Sequence, residues 1–215
     1  MNIEVDSIFF EAKGRKILTG AYLQLSQGEV LGLLGRNGSG KTTLYKLMFG
    51  LTSSEFIVKR VDGRHCKSLV TEGLLQYQTE QPSFPGHLSI KKAIGLFIKD
   101  NALSAALIEK IDEPENQRLQ ALSHGKRKYL ESMILLHSPV PFLIMDEPFN
   151  GLSPLMVENL STAINLVKRQ KGIVVTDHRF NDVAAIADRL ALMHSGTVLN
   201  IEGREDLVRL GYLPD

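Results

Sequence analysis

Only one cysteine, Cys66, occurs in the chain, so no intrachain disulfide can staple it, which fits a reducing compartment. The chain also lacks a charge of one dominant sign. Lys and Arg number 25 against 24 Asp and Glu, so neither a basic field suited to nucleic acid nor an acidic tail is present. Nucleic acid is therefore not an expected partner. No apolar run approaches the roughly 20 residues that cross a bilayer, and the longest candidate is interrupted by Pro139 and Pro141. The start, MNIEVDSIFFEAKGRK, carries charges where a signal peptide needs an unbroken apolar core. Internal repeats and low-complexity stretches are missing too, which leaves one α/β unit of 215 residues as the expectation.

What is present is an alternation of strand-like and helix-like segments. IEVDSIFF and KILTGAYLQL are rich in β-branched and apolar residues and are separated by the turn-like AKGRK. EVLGLL at 29–34 is short and apolar, as a buried strand would be. Leu44, Leu47, Met48 and Leu51 recur at helical spacing, and residues 89–111 predict one or two further short helices. FLIM, GIVVT and a closing LALM/VLNIE hairpin predict later strands, with helices over LMVENLSTAINLVKRQ and RFNDVAAIADR. Such alternation predicts a mostly parallel sheet covered on both faces.

Between the third strand and the first helix stands GRNGSGKTT, which matches G-x-x-x-x-G-K-[ST]. Glycines let the backbone curl so that several N–H groups face one point, and the following helix aims its positive end there. The nucleotide-binding candidates are therefore Gly35, Arg36, Asn37, Gly38, Ser39, Gly40, Lys41, Thr42 and Thr43. Lys41 would reach the β and γ phosphates, and the Thr42 hydroxyl would hold Mg²⁺. FLIMDE sets Asp146 at the end of a buried strand, where its carboxylate can hold the metal through water. Glu147, one residue on, can orient or deprotonate an attacking water.

This set of motifs, in this order, resembles the ATP-binding cassette ATPases, the nucleotide-binding subunits of ABC transporters, over essentially the whole chain. GRNGSGKTT looks like their Walker A and FLIMDEP like their Walker B. VVTDH looks like their switch region, with His178 as the histidine that touches the γ phosphate. Gln78 is the best match to the glutamine-loop residue, a nucleotide and metal contact, with Gln76 and Gln81 nearby. Phe10 or Phe9 would stack on adenine, or serve as an ordinary strand residue. The resemblance implies an α/β fold with a P-loop NTPase core, an N-terminal antiparallel β subdomain and a small helical subdomain. It implies a single domain over 1–215, with its core at 1–78 and 140–215 and the helical part at about 79–139.

LSHGK at 122–126 occupies the place of the family signature LSGGQ, so Ser123, His124, Gly125 and Lys126 would close over ATP held by a second subunit. His124 replaces a glycine and Lys126 replaces the glutamine. A histidine is tolerable there if the backbone angles are ordinary, and Lys126 would add positive charge near the γ phosphate. FNGLSP places Ser153 where the family's D-loop usually ends in aspartate, which bears on coupling between two ATP sites more than on binding. The apolar AIGLFI can pack internally or dock a partner helix.

The resemblance implies a Mg²⁺-dependent ATPase working as a homodimer or heterodimer. Separate membrane-spanning transporter subunits are the implied partners, with the chain peripheral on the cytoplasmic face of the cell membrane. A soluble ABC-type protein acting as an ATP-driven clamp or scaffold switch is the alternative. A small-molecule kinase would share the phosphate loop but would not need LSHGK, FLIMDEP and VVTDH in this order. Little chain follows the last predicted helix, so no added regulatory domain is expected.

Overall fold

A computed structural model describes residues 1–54 and 56–214. Strands β1 (Asn2–Ala12) and β2 (Arg15–Ser26) form a hairpin closed at Ala12 and Arg15, as the turn-like AKGRK predicts. Two strands not anticipated from the sequence, β4 (Phe56–Val61) and the short β5 (Arg64–His65), complete an antiparallel sheet of order β2-β1-β4-β5. Their residues are only partly buried, so no clean alternation advertises them.

The second sheet has the order β10-β9-β3-β8-β7-β6. Its centre is β3 (Val30–Leu34), β8 (Gly172–Thr176) and β7 (Phe142–Asp146), all parallel and buried at every position. Burial on both faces explains why VLGLL, GIVVT and FLIM read as unbroken apolar runs. β6 (Leu75–Gln78) extends the sheet in parallel beyond β7, while β9 (Arg189–His194) and β10 (Thr197–Ile201) make the closing antiparallel hairpin.

Helix α1 (Lys41–Phe49) follows β3 directly. Between β6 and β7 lie α2 (Ile90–Phe97), α3 (Asn101–Ile111), a 3-10 turn at Leu119–Ala121 and α4 (His124–His137). Ser89 and Asp100 cap α2 and α3 by accepting backbone N–H groups. Ala93 and Ile94 of AIGLFI are buried in the core, whereas Leu96 is exposed. Packing therefore takes most of that run inward. α5 (Pro154–Val167), α6 (Phe180–Ile186) and α7 (Arg204–Arg209) complete seven helices among the described residues. None of the described helices is long and apolar enough to cross a membrane.

Two apolar clusters divide the interior. One lies under α1 and the antiparallel sheet, with Tyr45, Leu47, Tyr77 and Phe142. The other joins α2–α6 to the opposite face of the parallel sheet. A buried lysine, Lys171, donates to the Ser138 and Val140 carbonyls and so anchors the entry to β7. Burial pushes its pKa down to about 8. Phe142, at the start of β7, is fully buried. Phe142→Ala is expected to cost about 3–5 kcal/mol in urea unfolding.

Candidate functional site

The loop between β3 and α1 curls because Gly35, Gly38 and Gly40 adopt φ of +155°, +77° and +110°, which a side chain disfavours. Gly40 is the N-cap of α1 and no side chain caps that helix, which leaves its first N–H groups for an anion. The Lys41 ammonium folds back over the loop, donating to Gly35 O at 2.6 Å and Arg36 O at 3.3 Å. Burial lowers its pKa, while Asp146 and Glu147 pull the other way. A partly desolvated cation held only by carbonyls is well suited to meet phosphate.

Across from the loop, the buried Asp146 carboxylate gathers three hydroxyls from three elements. Thr42 of α1 donates to Oδ2 at 3.1 Å, Tyr77 of β6 donates to Oδ2 at 3.0 Å, and Thr176 of β8 donates to Oδ1 at 2.9 Å. Glu147 sits at φ +52°, a strained setting for a non-glycine residue, secured by its N–H to Thr176 O at 2.7 Å. That turn aims its carboxylate at His178 Nε2, 2.8 Å from Oε1, with Asn150 Nδ2 at 3.3 Å from Oε2. Asp177 binds the two strand ends together by accepting the N–H groups of Phe149 and Arg179. The phosphate loop, the acidic pair and His178 therefore converge at one end of the sheet, as open parallel sheets present their ligands.

Thr42 and Asp146 both offer oxygen atoms, which suits a hard cation. Magnesium is commonly held by one or two carboxylates plus substrate phosphates, and no cluster of three or more metal-binding His, Cys, Asp or Glu occurs among the described residues. Thr42 and Asp146 already touch each other. Gln78 is almost fully buried and its Oε1 has no partner. Its amide nitrogen, however, turns toward α4, donating to Ser132 Oγ at 2.7 Å and Lys128 O at 3.3 Å, so it is not bonded to Thr42 or Asp146. Of its neighbours, Gln76 accepts from Ser138 at 2.5 Å and Gln81 is exposed.

Ser123 is the N-cap of α4, its hydroxyl accepting the Lys126 N–H at 3.3 Å. His124 is the first helical residue, so its backbone angles are ordinary and the side chain fits. The Lys126 ammonium pairs with Glu113 at 2.5 Å within the chain. Gly125 packs against the D-loop: a Cβ there would lie 2.3 Å from Gly151 O. The His124 ring edge also lies close to Gly151, where an added Cβ would meet it at 3.3 Å. Ser153, in the place of the D-loop aspartate, caps α5 by accepting the Met156 N–H.

Phe9 is half exposed and meets Phe56 edge-on, while Phe10 packs partly into the core. Both border a groove with Lys16, Leu18, Ser54 and Phe56. Leu18 also touches the phosphate loop at Gly40. Sequence reasoning missed Tyr77, Asn150 and Asp177, as well as the roles of Thr176 and of the tail, where Arg36 donates to Gly211 O and Tyr212 borders Gly35. Thr176 and Asp177 lie within VVTDH, so that motif was the available signal; Tyr77 and Tyr212 carry none.

The family model described as ABC transporter matches residues 18–150. A probable ABC transporter ATP-binding protein of Azorhizobium caulinodans is 31% identical over 91% of this chain and 75% of its own length. The lipopolysaccharide export system ATP-binding protein LptB of Acidithiobacillus ferridurans is 27% identical, covering 96% of this chain and 92% of its own. A solved ATP-binding subunit of an ABC transporter superposes with a TM-score of 0.82 at 21% identity, over 100% of this chain and 95% of that one. That last likeness speaks for the fold.

The packing of Gly125 on Gly151 is directly testable. Gly125→Ala is expected to lower stability by about 1–3 kcal/mol in urea, because the clash is with backbone. Gly203→Ala, where an added Cβ meets nothing within 4 Å, is expected to stay close to the parent.

Proposed function

The chain belongs to the ABC transporter family of ATP-binding proteins, and we propose that it hydrolyses ATP to drive a transporter whose membrane-spanning subunits are separate chains. The observation that carries this reading is the hydrogen-bonded run Thr42–Asp146–Thr176 beside the Glu147–His178 pair. It joins phosphate loop, acidic strand end and switch segment at one point. Curated relatives described as transporter ATP-binding proteins favour transport over a cytosolic clamp.

In this reading the Gly35–Thr43 loop and the N-terminus of α1 hold the phosphates, with Lys41 leaving its carbonyl partners to neutralise charge on the leaving ADP. Magnesium, held by Thr42, Asp146 and the phosphates, with Gln78 as a further oxygen ligand, would supply charge neutralisation on the β and γ oxygens. Glu147 orients a water and takes its proton as the water oxygen bonds to γ phosphorus and the bond to the β-phosphate oxygen breaks. His178, on the same carboxylate, holds Glu147 and reaches the γ phosphate. Phe10 or Phe9, beside the groove near Gly40, stacks on adenine.

Two copies, identical or related, close with Ser123, His124 and Gly125 of one facing ATP on the other. Lys126 supports that jaw through Glu113 rather than by contact with phosphate. Residues 79–139 form the helical unit that faces the membrane partner, and 1–78 with 140–215 the catalytic core. The chain then works peripherally on the cytoplasmic face of the membrane.

Glu147→Gln is expected to reduce turnover by at least about 100-fold while ATP binding persists. Unchanged turnover would remove Glu147 from the role assigned to it. In that trapped background, ATP should shift the chain to a dimer by light scattering, and adding Ser123→Arg should abolish the shift. A dimer that persists with arginine at 123 contradicts the two-jaw arrangement.

A further inference from the structure

Asp146 needs to keep its orientation when a metal ion binds beside it. Three hydroxyls hold it, and two of them, from Thr42 and Tyr77, share Oδ2. Thr42 can ligate magnesium, as the proposed function requires, through an oxygen lone pair while its O–H still faces Oδ2. Tyr77 is the donor on Oδ2 that takes no part in metal ligation, while Thr176 holds Oδ1.

Tyr77 is built for this task. It lies on β6, paired in register with Ile144 of β7, so its backbone is fixed beside the strand that ends in Asp146. Its ring packs against two aromatic rings of α1, Tyr45 with centroids 5.9 Å away and Phe49 at 5.8 Å. The helix that carries Thr42 therefore also fixes where the Tyr77 hydroxyl points. The adjacent Tyr45 hydroxyl is buried too but does not bond to Asp146, whose hydroxyl donors are Thr42, Tyr77 and Thr176, which makes it a neighbouring control.

We propose that Tyr77 is a positioning residue for metal-dependent nucleotide binding, holding Asp146 through Oδ2 so that the carboxylate meets magnesium without reorganising. The inference rests on the Mg²⁺–ATP reading above. A tyrosine ahead of the glutamine-loop residue then does more than fill the strand, because it ties β6 to the metal carboxylate.

Calorimetric titration with a non-hydrolysable ATP analogue, once in excess Mg²⁺ and once in EDTA, separates the metal contribution from the rest. Tyr77→Phe removes one hydroxyl and keeps the ring. Its affinity in Mg²⁺ is expected to fall about ten-fold, with affinity in EDTA unchanged. Tyr45→Phe is expected to match the parent in both conditions. Equal losses with and without Mg²⁺, no loss for Tyr77→Phe, or the same loss for Tyr45→Phe would each overturn the inference. A parent protein that binds the analogue in neither condition would overturn the proposed function itself, and this inference with it.

Discussion

An ionised carboxylate taken out of water is costly unless donors answer it, and Asp146 is answered from three directions. Its hydroxyl partners come from α1, β6 and β8, elements separated by up to 104 residues of chain from Asp146. Each bond fixes a different part of the site relative to the same two oxygens. The phosphate loop is held through Thr42, the strand leading to Gln78 through Tyr77, and the switch segment through Thr176. The strained turn at Glu147 is sustained by the same neighbour, since the Thr176 carbonyl takes its N–H. The strand-to-loop geometry that aims Glu147 at His178 is thus inseparable from the burial of the residue before it.

The signature segment is joined to this centre from behind. Gly125 and His124 pack against Gly151, and Asp177 holds Phe149 of the same loop by its backbone. The start of α4, the loop after β7 and the switch segment therefore form one contiguous packed unit. That the departures from the family pattern are accommodated follows from local physics. His124 occupies a helical position that any side chain accepts, and Ser153 satisfies an N–H at the start of α5.

Further along α4, buried charge ties the helix to the glutamine loop. Lys128 donates to Glu80 O at 2.6 Å, and Glu131 accepts the N–H groups of Ser83 and Phe84 at 2.9 Å each. Arg127 adds a bond to Phe84 O and lies 3.7 Å from Glu131. The groups of 80–84 bound by Lys128, Arg127 and Glu131 are mostly backbone, so the segment is held largely irrespective of its own side chains.

Local pattern alone determined the phosphate loop, the buried central strands and most helices. Glycines at 35, 38 and 40 permit the curled backbone that side chains would disfavour, and unbroken apolar runs such as FLIM are comfortable only with both faces covered. The acidic pair was legible for the same reason, since Asp146 and Glu147 follow such a run directly. Tertiary structure alone decided which side chains meet. Tyr77 looks like any apolar strand residue, and its bond to Asp146 exists because β6 pairs with β7 in one register. Nothing near Lys126 in the sequence points to Glu113, and only the packing of α4 against the segment after α3 brings the two together. Spacing along a chain carries the conformations a backbone can take. Contacts between residues far apart in sequence depend on register and packing, which spacing does not encode.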